Sequence, residues 1–431
     1  MNRGEGVNED PTGSFMVAIT EYLGSPAEMP TTFQHPTRKS EFLPTLQEII
    51  DTEKPEGAPK EAAWIWGPDD EIGRLNLLTP DHVSSVLSSQ ARSSGIVCPL
   101  NWDVTLPRHP AFARQACRTV VKPFEDVLVN DETLEMNTQS GSQFDGFRHI
   151  AFQETGTFYN GVRQDEIAGK RLPEGLGGGD ADADAHAHAH AHGEERGRPS
   201  KASTRIGIQA AAQHGIVSRG VLLDYARWMK EVKKVEYDPF SRHAIELADI
   251  LQVAEWEGVQ FEKGDVLLVR TGWIEKYMMC LDVVEGENKK KKKDPHASAR
   301  ESTSTVEAAS VSSFSRLTKG EAQNELDRAS KEHPTAIGLS QSQEMKTFLH
   351  DKYFSVVGGD QPAFEVWPGN TFPLLHEYLL ACWGVLIGEM LDLEKLGRAC
   401  KGKGKWDFLF VSALMNIPGG VASLGNAICV L

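Results

Sequence analysis

The apolar positions of this chain fall into short runs separated by glycine turns. Gly220 to Asp224 encloses Val221-Leu222-Leu223, and Gly264 to Arg270 encloses Val266-Leu267-Leu268-Val269 behind a Gly-Asp turn. Runs of this length, bounded by turn residues, predict buried β-strands. Phe354 to Gly358 predicts another strand, entering the turn Gly358-Gly359-Asp360, and Val385 to Leu391, Phe408 to Leu414 and Ala427 to Leu431 predict three more. Helices are expected over Leu339 to Asp351 and Leu374 to Trp383, and a short one over the segment LPTLQEIID (43–51). Thr79-Pro80-Asp81 predicts a helix start, with Thr79 as the N-cap and Pro80 in the first turn, running through His82 to Ser89. Strands alternating with helices, without an internal repeat, predict an α/β fold.

One polar stretch departs from this pattern. Gln139-Ser140-Gly141-Ser142-Gln143-Phe144-Asp145-Gly146-Phe147-Arg148-His149 carries ligand-capable side chains at 139, 143, 145 and 149. If residues 139 to 145 are extended, Gln139, Gly141, Gln143 and Asp145 share one strand face, and Gly141 leaves room for something close to the backbone. Such a row can be a metal or substrate site. It can equally be a structural strand whose amides bond to the backbone, since Gln is a poor metal ligand.

Two segments break the globular pattern. Residues 173 to about 203 hold Gly177-Gly178-Gly179, an Asp-Ala repeat and the alternating His186, His188, His190 and His192. Residues 284 to about 332 hold five consecutive lysines (289–293) and a Ser/Thr/Ala-rich stretch. Both are low-complexity and are read as insertions into surface loops, which cost little closure entropy. The first 41 residues, rich in Gly, Pro, Thr and Glu, are read as a loose arm, leaving 42–431 as the folded domain. The histidine tract could bind Ni²⁺ or Zn²⁺ weakly, which leaves a metal-storage role as a reading to test.

Composition narrows the function classes. The chain has 431 residues, 40% of them hydrophobic, enough for one large core or two ordinary ones. A net charge of −16 argues against nucleic acid or an anionic membrane as partner. The first twenty residues have no compact apolar stretch behind a basic start, so no signal peptide is expected. The most apolar run, Leu374 to Leu391, is interrupted by His376, Glu377 and Glu389, so no transmembrane span is expected either. Six dispersed cysteines without a CxxC pair read as reduced thiols in a cytoplasmic protein. No phosphate loop, GxSxG elbow or HExxH helix is present.

Two further constellations can carry chemistry. His376 stands at the start of an apolar helix and Glu389 inside an apolar strand. Ionisable groups in such runs are paired or coordinate something. Asp360 falls where a strand ends in a Gly-Gly-Asp turn, a ligand position in α/β folds and equally a capping position in a tight turn.

Together these pieces resemble the cyclase family of metal-dependent hydrolases, which includes bacterial kynurenine formamidase and isatin hydrolase. The family motif is His-x-Gly-Thr-His-x-Asp-x-Pro-x-His. Asp145 and His149 fall on its Asp and last His, Gly141 on its Gly and Ser142 on its Thr, while Gln139 and Gln143 stand at its first two His. His376 and Glu389 match the later ligands, the piece 264–273 matches the family's Gly-Asp-(apolar)-Arg-Thr-Gly-Trp, and Asp360 matches the Asp of its Gly-x-Asp turn. Gln-Ser-Gly-Ser-Gln-x-Asp-Gly and a closing Pro-Gly-Gly-Val (418–421) resemble the longer, fungal-type members. The likeness runs from about Trp64 to Leu431, minus the two insertions.

The resemblance implies a swivelling β/β/α single domain, commonly a homo-oligomer, that hydrolyses an amide, formamide or lactam-like bond of a small molecule. The best-known activity of the family is that of an arylformamidase in tryptophan catabolism. It implies a divalent metal, Mn or Zn, with Asp145, His376, Glu389, Gln139 and Gln143 as the metal-site residues, and His149 as general base. Asp360, Phe144 and Phe147 would contact substrate, with Trp64, Trp66, Phe152 and Tyr159 as further candidates for an aromatic wall. Two amides in place of imidazoles make the set harder and favour Mn²⁺ or Mg²⁺ over Zn²⁺. The alternative is a non-catalytic ligand-binding protein on the same fold that has lost the metal.

Overall fold

A computed structural model describes residues 43–431 except 56, 91–93, 125–126, 169–203, 292–316, 331–333 and 370–371. The N-terminal arm (1–41), the first insertion with its histidine tract and the centre of the second insertion therefore lie outside the described residues.

The strands are β1 (Val97–Pro99), β2 (Arg118–Pro123), β3 (Asn130–Glu135), β4 (Gln143–Asp145), β5 (Ile216–Leu223), β6 (Ala244–Ile245), β7 (Val266–Val269), β8 (Gly338–Leu339), β9 (Val356–Gly359), β10 (Leu386–Glu389), β11 (Asp407–Ser412), β12 (Ala422–Leu424) and β13 (Ala427–Val430). Nine of them form one sheet in the order β1-β13-β11-β5-β7-β9-β10-β4-β12. Its centre, β5-β7-β9-β10, is parallel, and the flanking pairs are antiparallel. The architecture is the α/β class that the alternation of runs predicts.

The aliphatic runs explain the centre. Val266, Leu267, Leu268 and Val269 are all buried, as are Val221, Leu222 and Leu223, because a parallel strand covered on both faces needs apolar residues throughout. The helix start expected at Thr79-Pro80 holds, and the short helix expected within 43–51 begins at Leu46. Thr45 caps Leu46–Asp51 in a reciprocal box with Glu48, and Thr79 accepts from the His82 N–H with Pro80 in the first turn of Pro80–Ser89.

Some boundaries differ from expectation. The helix expected from Leu339 begins at Gln343, Leu339 belonging to β8, and Trp273 opens a helix, Trp273–Lys291, that runs into the second insertion. Within the second insertion, Thr318 caps a helix Lys319–Ala329 that buries Ala322, Leu326 and Ala329 beside Cys280, Leu281 and Val284. Small residues at helical spacing were hidden in a polar composition. The Lys276 ammonium, 2.6 Å from Asp238 and 2.5 Å from Glu325, ties the two helices together. Among the described residues no helix is long and apolar enough to cross a membrane.

Candidate active site

The site is built where β4 lies between β10 and β12. The register sets Gln143 opposite Glu389 and Asp145 opposite Ile387. Gln143 and Asp145, two residues apart, share a face, and Phe144 must point the other way. Gln143, Asp145 and Glu389 are almost wholly buried, so each polar atom needs a partner from within the protein.

The partners are mutual. Gln143 Nε2 donates to Asp145 Oδ1 (3.1 Å) and to Glu389 Oε2 (2.9 Å), bridging two carboxylates with one amide. Gln139 Nε2 donates to the same Asp145 Oδ1 at 2.7 Å and lies 3.1 Å from His149 Nδ1. Both glutamines therefore meet Asp145, although only Gln143 lies on the strand. Gln139 sits in the turn before it, so the extended reading of 139–145 is corrected to 143–145. The glutamines present amide nitrogens to the carboxylates of Asp145 and Glu389 and so act as hydrogen-bond donors to them. The room left by Gly141 is taken by the Leu106 carbonyl, which a Cβ at 141 would approach to 2.6 Å.

His376 completes the cluster from the helical turn that leads into the π-helix Glu377–Cys382. Its Nδ1 meets Glu365 Oε2 at 2.5 Å, and its Nε2 lies 3.0 Å from Glu389 Oε1 and 3.8 Å from Asp145 Oδ2. Burial alone would lower its pKa, but the Glu365 charge and the surrounding carboxylates hold it well above the usual histidine value. His149 faces the same oxygen, its Nε2 3.8 Å from Asp145 Oδ2, and burial pulls its pKa down against the pull of Asp145. Burial would raise the Asp145 carboxyl, yet the imidazoles of His149 and His376 with the Arg114 guanidinium bring it to about 2. Burial, then the Asp145 charge, push Glu389 up to about 7.

The remaining oxygen of this group is the informative one. Asp145 Oδ2 is buried and has no hydrogen-bond partner among the described residues. One donor atom each from Asp145, His149 and His376 lies within 4.8 Å of the others. A bare carboxylate oxygen between two imidazole nitrogens fits a cation, and this buried His/Asp site could hold a metal.

A cavity of about 220 Å³ opens onto the cluster, lined by Phe112, Arg114, His149, Ile150, Pro362, Ala363, Trp367, Leu374, His376 and Glu389. The residues expected to contact substrate do not line it. Phe144 is fully buried on the far face of β4, where Gly388 leaves space for its ring, and Phe147 packs on Tyr159 in the core. Trp64, Trp66 and Phe152 are likewise absent from the lining. Asp360 is fully buried and accepts from the Thr271 N–H (2.6 Å) and hydroxyl (2.8 Å), so it braces the end of β7. Burial raises its pKa.

Among the site residues that the sequence did not single out are Arg114, Glu365, Phe112 and Trp367. Glu365 lies five residues beyond Asp360 in the same loop. Arg114 and Phe112 stand in a loop without periodicity and gave no signal.

A family model described as "Putative cyclase" matches residues 96–366. Among solved structures, one described as a novel cyclase superposes with a TM-score of 0.59 at 22% identity, covering 86% of this chain and 99% of its own. Isatin hydrolase A from Ralstonia solanacearum (TM-score 0.45, 13% identity, 82% of this chain and 98% of its own) is also similar. So is isatin hydrolase A from Labrenzia aggregata (TM-score 0.43, 12%, 81% and 98%). No curated protein sequence matches the chain.

Proposed function

The chain belongs to the cyclase family, and on that footing we propose that it is a metal-dependent hydrolase of a small amide, formamide or cyclic amide, of the arylformamidase kind. The observation that carries this reading is Asp145 Oδ2, buried, without a hydrogen-bond partner among the described residues, and 3.8 Å from the Nε2 atoms of both His149 and His376. An oxygen in that state costs free energy that a cation would offset. Asp145, His376 and Glu389 are the residues that would hold it, a set harder than a histidine-rich one, favouring Mn²⁺ over Zn²⁺. A divalent cation bound there supplies an acidified water, with a pKa of about 7, and polarises the scissile carbonyl.

The protein's own groups do the rest. Glu365 grips His376 through Nδ1 and so aims Nε2 at Asp145 and Glu389. Burial keeps His149 neutral at neutral pH, so its Nε2 can take a proton from water and return it to the leaving nitrogen. Phe112, Trp367 and Leu374 line the apolar side of the cavity.

A second reading has its own observation. Gln139 Nε2, pinned to Asp145 by one hydrogen, can point its other at His149 Nδ1, 3.1 Å away. That contact places the proton of neutral His149 on Nε2, where the ring is neither base nor ligand. The same fold would then bind a ligand without turning it over.

Metal analysis of the full chain, beside a variant with His186, His188, His190 and His192 changed to Ala, separates these readings. Hydrolysis predicts about one equivalent of metal retained in both, lost in Asp145→Ala, and amide cleavage reduced roughly 10²–10⁴-fold in His149→Ala with the metal kept. Less than about a tenth of an equivalent, with no rescue by Mn²⁺ or Zn²⁺, would sink it. Metal lost only with the four histidines would leave the storage role instead.

A further inference from the structure

The cavity has two halves. His149, His376 and Glu389 form the polar half, and Phe112, Ile150, Pro362, Ala363, Trp367 and Leu374 the apolar one. Arg114 stands in this lining as its arginine, on a loop with an unusual course. Phe112 (φ 60°) and Ala113 (φ 54°) are consecutive left-handed residues without being glycine. Left-handed backbone is unfavourable for a residue that carries a Cβ, so the surroundings must hold this bend. Arg114 Nη1 does so, donating to the Gln139 carbonyl at 2.8 Å and to Gln143 Oε1 at 3.4 Å. The guanidinium also lies 5.0 Å from the Phe112 ring centre.

Both hydrogen bonds leave from one nitrogen and go to neutral oxygens. Among the described residues no carboxylate pairs with Arg114, whereas Arg219, Arg227, Arg270 and Arg328 each have one. Its charge nevertheless lowers the pKa values of Asp145, His149 and Glu389, so it belongs electrostatically to the site. An arginine with no carboxylate in ion-pair contact among the described residues, at the seam of a part-apolar cavity, is suited to a planar anionic group of a ligand, which it can grip bidentately. Phe112 and Trp367 meet edge to face at 5.5 Å between ring centres and offer aromatic surface beside it. The cavity lies below the ~300–1,000 Å³ of drug-sized pockets, so it suits a single ring.

We propose that Arg114 is a specificity-determining residue that anchors a carboxylate on the substrate, so that the substrate is a one-ring aromatic amide bearing a carboxylate. This rests on the hydrolase reading of the same site. Arg114 acts in binding, with Phe112 and Trp367 packing the ring while the amide reaches Asp145 and His149.

The test compares wild type, Arg114→Gln and Arg114→Lys in the full chain. Calorimetry on metal-stripped protein measures benzoate against benzamide, and kinetics on Mn²⁺-loaded protein measure 2-formamidobenzoate against formanilide. Wild type should prefer each carboxylate, and Arg114→Gln should reduce that preference by roughly ten- to a hundredfold, chiefly through KM, with part restored by Lys. If both amides are cleaved and the preference is absent in wild type or untouched by Arg114→Gln, this inference fails and the hydrolase reading stands. If neither amide is cleaved, the hydrolase reading fails, and the benzoate-to-benzamide ratio alone decides the role of Arg114.

Discussion

The strands β4 and β10, which carry site residues, and the ribbon β2–β3, which precedes β4 in the chain, are made on opposite plans. Every residue of β4 and β10 is buried, although Gln143, Asp145 and Glu389 are polar. Every residue of β2 and β3 is exposed, although Val120, Val121 and Leu134 are apolar. In the first pair, burial would be costly without partners, so each polar atom but Asp145 Oδ2 is answered by a neighbour, and the geometry is fixed. In the ribbon, cross-strand pairs such as Arg118 with Glu135 and Lys122 with Asp131 are the available support, and each contributes little. Burial is thus what turns a polar pattern into a rigid site, and apolar residues without burial add little to the fold.

Three changes test that contrast. Phe144→Ala should have the largest effect, about 3–5 kcal/mol of lost stability by denaturant titration, since its ring fills the space over Gly388. A loss under about 1 kcal/mol would mean that the far face of β4 is not a packed core. Gln143→Leu comes next, at about 1–3 kcal/mol, because it strips a donor from both Asp145 and Glu389 and leaves Glu389 Oε2 bare. A gain in stability would show instead that the amide bridge is dispensable. Leu128→Ser at the ribbon's tip should change stability by less than about 0.5 kcal/mol in dilute protein, Leu128 being fully exposed. A larger loss that grows with protein concentration would reveal a surface covered in an oligomer.

Particular residues show how much of this was legible beforehand. Val266 to Val269 announced a central strand because a doubly covered strand must be apolar throughout. Thr79-Pro80 announced a helix start because capping is a local matter. Asp145, His149, His376 and Glu389 were recognisable as a set from motif positions. Their meeting depends on β10 pairing with β4 across more than two hundred residues of chain. Phe144 and Phe147 misled because an aromatic beside a motif gives no sign of which face it takes. Strand alternation put Phe144 on the side opposite Gln143. Arg114, Phe112 and Trp367 were not visible, since a loop carries no period to read.

The sequence by itself determined the α/β class, the capped helices, the polar composition of β4 and the family. These follow from local propensity, burial patterns and spacing, which are written residue by residue. Tertiary structure alone decided that both glutamines would serve as donors to Asp145, and that one carboxylate oxygen would be left bare between two imidazoles. It alone decided that an arginine with no carboxylate partner among the described residues would line the cavity. Each depends on which atoms meet across strands and loops far apart in the chain, and hydrogen-bond geometry at 3 Å is set by packing, not by sequence spacing.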